Sequence, residues 1–80
     1  MTEEIRNKLI DSAHDEISDI QKYMDMASEV SGSAGGVLKD IARDEYTHAK
    51  HLVEILEEGG GVPEDLEKEW KECRDKHADA

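Results

Sequence analysis

Along the first thirty positions Leu9, Ala13, Glu16, Ile20, Tyr23, Ala27 and Val30 recur at steps of three and four, the spacing of one α-helix face. The second half repeats the pattern with Leu38, Ile41, Glu45, His48, Leu52 and Ile55. Each stripe is interrupted by groups foreign to a dry face: Glu16 in the first, Glu45 and His48 in the second. Flanking positions widen both stripes, with Ile10, Ile17 and Met24 beside the first and Ala42, Ala49 and Leu56 beside the second. A face of about three residues in every seven is wider than one antiparallel partner covers. It predicts that two hairpins pair and close four helices around a shared core.

Thr2 followed by Glu3 and Glu4 is a helix start, with a capping hydroxyl and carboxylates that complement the macrodipole. The first helix should run over about 3–31. Ser31-Gly32-Ser33-Ala34-Gly35-Gly36 reads as a tight connection, and a second helix follows over about 35–58. Gly59-Gly60-Gly61 ends it, and Pro63 with Glu64 and Asp65 opens a third over about 63–77. That helix has a narrow apolar face, Leu66, Trp70 and Cys73, and three favourable i,i+4 pairs outside it, Glu64/Lys68, Glu67/Lys71 and Glu72/Lys76. The glycine linker lets it fold back on its own hairpin or dock on a neighbour. The expected fold is therefore all-α: residues 1–80 as a single domain, an antiparallel two-helix hairpin plus a short third helix, dimerising into a four-helix bundle.

Composition sharpens this picture. A chain of 80 residues buries only about 60% of its unfolded surface, so a lone subunit is marginal. Acids outnumber Lys and Arg by 21 to 10, a net charge of -11, which argues against nucleic acid and anionic membranes and favours cations. No apolar run approaches the roughly 18 residues of a membrane span, and Met1-Thr2-Glu3-Glu4 lacks a basic leader. The expectation is a soluble, cytoplasmic protein. Cys73 is the single cysteine, which rules out an internal disulfide or a Cys-x-x-Cys metal site.

Two carboxylates aimed at an apolar seam need a counter-charge, because an unpaired buried charge costs several kcal/mol even after relaxation. Lys8, Lys22, Lys39 and Lys50 all fall off the seams. Counted from the turn at about 1.5 Å per residue, Glu16, Glu45 and His48 lie at similar heights and can meet. A metal ion is the simplest cation there, with Glu45 and His48 side by side at i, i+3. Two-fold doubling gives four glutamates and two histidines, the ligand set of a di-iron or di-manganese carboxylate bundle. Oxygen-rich ligation with one imidazole per metal suits two iron ions per dimer, manganese second, over structural zinc. Without metal, the same residues would make a Glu16–His48 polar pair that fixes register, with Glu45 reaching solvent.

Tyr23, two turns after Glu16, can reach a metal-bound carboxylate or serve as a core aromatic with its hydroxyl satisfied. Asp19, Asp44 and His51 flank the seam as groups that could orient ligands or admit ions. His14 and His77 read as surface residues, and Met24 and Met26 as packing.

Glu16 with Tyr23, then Ile41-Ala42-Arg43-Asp44-Glu45-Tyr46-Thr47-His48-Ala49, resembles the rubrerythrin branch of the ferritin-like superfamily, whose helices carry Glu and then Glu-x-x-His. In length and arrangement the chain is most similar to the short encapsulated ferritins, in which one hairpin supplies half of a di-iron site. The likeness spans roughly residues 10–57. It implies a ferroxidase that oxidises Fe(II) with oxygen or peroxide at Glu16, Glu45 and His48, in iron sequestration or detoxification. It also implies a homodimer, a ring of dimers and residence in an encapsulin shell. His77-Ala78-Asp79-Ala80 is polar and carries no apolar shell-targeting anchor, and the extra acidic site beside the family's centre is incomplete, since Asp15 can serve but Ser18 cannot.

Two other readings stand beside the ferroxidase. A rubrerythrin-like peroxide reductase would use the same ligands with an external electron donor, because a rubredoxin centre needs four cysteines. A metal-free or zinc-stapled assembly module would use Trp70 as its contact.

Overall fold

The computed structural model describes residues 1–77; Ala78, Asp79 and Ala80, part of the polar tail noted above, lie outside the described residues. Thr2 is extended, and its Oγ1 accepts the Ile5 N–H at 3.2 Å, so the first helix begins as its capping chemistry dictates. Three helices follow, α1 (Glu3–Glu29), α2 (Ser33–Glu58) and α3 (Glu64–His77), with no strand among the described residues.

The boundaries differ from the sequence reading where glycine was taken only as a breaker. Ser33 to Gly36 belong to α2, so the turn shrinks to Val30, Ser31 and Gly32. Gly32, at φ +74° and ψ -151°, occupies backbone space that L side chains avoid. Gly35 plays another role: a Cβ there would stand 3.2 Å from the Val30 carbonyl oxygen and 3.5 Å from that of Ala27. It lets the first turn of α2 lie close against the end of α1. The third helix starts one residue later than expected, with the Pro63 carbonyl accepting the Glu67 N–H at 2.9 Å.

α1 and α2 form an antiparallel hairpin whose shared line is Ala13, Ile17, Ile20 and Ala27 on one side and Gly35, Ala42, Ala49, Val53 and Leu56 on the other. This corrects the expected seam of α2: the flanking Ala42, Ala49 and Leu56 are buried, whereas Leu38, Ile41, Glu45 and Leu52 are half-buried and His48 and Ile55 exposed. For Ala49 and Leu56 the physical cause is α3. Leu66, Trp70 and Cys73 join Ile17, Ile20, Val53 and Leu56 in one core, drawing that half of the wide apolar face inward.

α3 runs parallel to α1 in a fixed register. Arg6 donates to the Gly61 carbonyl at 2.7 Å, His14 Nδ1 lies 2.7 Å from Glu69 Oε2, and Lys76 donates to Gln21 Oε1 at 2.9 Å, each pair 55 residues apart. Trp70 reaches across to α2 and packs its ring 5.0 Å from that of Tyr46. The third helix thus folds back on its own hairpin. At about 100° per residue, Glu16 and Tyr23 lie roughly 140–180° around α1 from His14 and Gln21. The face of the hairpin holding Glu16, Glu45 and His48 therefore stays uncovered by α3.

Candidate metal centre

Glu16 stands mid-way along α1, Glu45 and His48 one turn apart on α2. The short turn brings them to one height, and a ligand atom from each lies within 4.8 Å of those of the other two. No other group of three or more His, Cys, Asp or Glu residues comes together in this way among the described residues. The span is slightly wider than the roughly 3–4 Å between neighbouring donors around an ion held at about 2.1 Å.

The state of Glu16 tests the fit. Its side chain is only 26% exposed, and Oε2 is buried without a hydrogen-bond partner. The nearest imidazole nitrogen is His48 Nδ1 at 3.6 Å, beyond hydrogen-bond reach, on a side chain 58% exposed. A buried carboxylate oxygen left unsatisfied is costly, and it points into a cluster of one further carboxylate and one imidazole. Two carboxylates and one imidazole form a donor set for a hard or borderline cation. Glu16, Glu45 and His48 are the residues that could hold such a cation.

The flanking residues behave differently. Asp19 pairs with Lys22 at 3.8 Å, and the Lys22 ammonium sits 4.8 Å from the centre of the Tyr23 ring. Asp44 and His51 are exposed and outside the cluster. None of the four reaches the triad in a single subunit.

Around the triad lies an apolar rim on the same open face: Leu9 and Tyr23 on α1, Ile41 and Leu52 on α2, all half-buried, with Ile5 and Ile55 exposed at 49% and 44%. Such a contiguous stripe is more than scattered surface hydrophobicity.

Sequence reading took His14 and His77 for surface residues, and both prove to be anchors of α3. His14 lies between Glu69 and Asp65, with Nε2 3.7 Å from Asp65 Oδ2, and His77 Nε2 lies 3.0 Å from Gln21 Oε1. Burial holds the His77 imidazole below its ordinary range; the Lys76 charge adds to this and Asp25 opposes it. The Cys73 thiol is pushed up by burial first and by Glu69 second, against Lys76. Neither shift touches the triad.

Compared with known proteins, the chain matches no family model, no curated protein and no solved structure. The site stands on its own geometry. No described helix is long and apolar enough to cross a membrane.

Proposed function

We propose that this chain is half of a ferroxidase: two copies meet through the open hairpin face, and their paired Glu16, Glu45 and His48 hold two irons that give electrons to oxygen or peroxide. The observation that carries this reading is Glu16 Oε2, buried and unpartnered beside Glu45 and His48. The net charge of -11 adds long-range attraction for ferrous iron, the substrate.

The residues of the chain have separable parts in this scheme. Glu16 and Glu45 supply negative charge and oxygen donors; His48 supplies the nitrogen. The apolar rim of Ile5, Leu9, Ile41, Leu52 and Ile55 would be covered by the second copy, removing water from the site and raising the strength of every charge interaction in it. Four glutamates and two histidines then complete a ligand set that one subunit half fills. A ring of dimers or a surrounding encapsulin shell would extend the same scheme to iron sequestration.

A second reading is a metal-free assembly module; the Trp70 expected to make its contact is buried against Tyr46 and the core, and what favours the module is the 3.6 Å approach of His48 to Glu16 as a register-fixing pair. Aerobic Fe(II) titration of the apo protein, read by absorbance of the ferric product, separates the two. The ferroxidase predicts saturation near two irons per dimer, with oxidation lost in Glu45→Ala and His48→Ala. Oxidation at background rate in all three proteins would overturn it in favour of the module.

A further inference from the structure

α3 is 14 residues long and lies beside an α1 of 27. Its parallel register starts it beside the first half of α1 and ends it at His77, next to Gln21. Two turns of α1 remain beyond that point before Glu29, and the groove between α1 and α2 on the α3 side is left open over them. A cavity of about 230 Å³ occupies the gap.

The chemistry of the cavity differs from that of the rest of the surface. Ile20, Met24, Ala42 and the ring of Tyr46 make its floor and walls, and Lys39 and Arg43 stand one helical turn apart on its rim. In a chain with twice as many acids as bases, both rim residues are cationic. Among the described residues no carboxylate lies within ion-pair distance of Lys39. Arg43 places one nitrogen 3.2 Å from Asp40 Oδ1, leaving the remaining donors of its guanidinium free. The third polar group, His77, is held toward its neutral form and is turned to Gln21.

From this geometry we infer a second binding site, on the face opposite the metal triad, for a small molecule with an apolar body and one carboxylate, a short alkyl or aryl acid. The body fills the space over Ile20, Met24 and Ala42, and the carboxylate meets Lys39 and Arg43 at the mouth. Charge complementarity favours this ligand: among the described residues Lys39 has no carboxylate in ion-pair reach and Arg43 keeps guanidinium donors beyond the one on Asp40, so a carboxylate gains charge-assisted hydrogen bonds that a neutral molecule or a cation forgoes. The volume is below that of a drug-sized pocket, which limits the ligand to a short chain or a single ring.

Titrating hexanoate and hexanamide into the full chain, followed by amide chemical shifts, tests the site. Saturable shifts confined to residues around Met24, Ala42, Arg43 and Tyr46 are expected with hexanoate. Binding should weaken by about tenfold or more with hexanamide, and equally for hexanoate in the Lys39→Gln/Arg43→Gln variant, because charge-assisted hydrogen bonds to both cations are lost. Both rim side chains project from the surface, so unchanged circular dichroism and unchanged Fe(II) oxidation in that variant show that the fold and the triad are intact. Equal binding of acid and amide, shifts located elsewhere, or no saturation at millimolar hexanoate would each overturn the assignment.

Discussion

Replacing Glu16 by leucine should move stability in opposite directions with and without metal. In the metal-free chain, Glu16 Oε2 is buried with no partner, and the group closest to pairing with it is an imidazole at 3.6 Å that is 58% exposed. Such an exposed pair contributes little, at most about 1 kcal/mol, whereas an unsatisfied buried polar atom costs about 1–3 kcal/mol. The side chain keeps 26% of its exposure, so the low end of that range applies: Glu16→Leu should gain about 1 kcal/mol in chelator, raising Tm by roughly 4–8 °C for a domain of this size. Both proteins must be melted at the same protomer concentration, since association shifts Tm by mass action. Adding Mn(II), or Fe(II) without oxygen, should reverse the order. The native chain gains about 2.7 kcal/mol at a hundredfold excess over its dissociation constant, and the variant, missing one donor, gains little. A variant less stable than the native chain in chelator would show that Glu16 is an ordinary structural residue. Equal stabilisation of both proteins by metal would place the ion elsewhere.

Gly32→Ala should destabilise the chain by about 1–3 kcal/mol, read from thermal melts, because φ +74° with ψ -151° strains any residue with a Cβ. The docking of the last turn of α3 should weaken as pH falls: His77 binds a proton more readily unfolded than folded, so its contribution is present above the ordinary histidine value of 6.5 and is lost as pH drops through the lower folded value. Amide exchange in residues 73–77 against pH reads this out, and protection that rises on acidification would contradict it. Cys73 should react slowly with a thiol reagent near neutral pH and rapidly after unfolding, since burial and Glu69 disfavour its thiolate.

Periodicity exposed the helices and the three residues of the cluster because both are local: Glu16 and His48 stand at fixed heights on rods joined by a short turn, and counting suffices to bring them together. What it could not show was which half of a wide apolar stripe faces inward. Ala49 and His48 are neighbours in sequence and lie about 100° apart on α2; the docking of Leu66, Trp70 and Cys73 puts Ala49 in the core, while His48 stays exposed. The same long-range contact turned His14 from a surface residue into a bridge to Asp65 and Glu69. No local signal marks that role, although the common 55-residue separation of the three pairs that α1 makes with the linker and α3 is a repeat that becomes visible once the register is known. Gly35 carried two readings, the end of the connection and the start of α2, because glycine signals both turns and close packing, and the crowding against the Val30 and Ala27 carbonyls is a property of the turn already formed.

The allocation of faces also bears on why the chain would function as a pair. α3 is tethered by a short glycine-rich linker and locked in register by the Arg6, His14 and Gln21 contacts, so it cannot swing round to cover the triad. Among the described residues no segment covers Glu16, Glu45 and His48 on that face. On the proposed reading a second copy does this in one step. It brings an apolar rim to an apolar rim, which favours association, and it brings two more carboxylates and another imidazole to two carboxylates and an imidazole, which opposes association until cations arrive. The hydrophobic term is present with or without metal; the repulsion of four glutamates is relieved only by it. On that reading assembly and iron loading would be linked through one interface, and the unsatisfied oxygen of Glu16 is the feature of the single subunit that the linkage would act on.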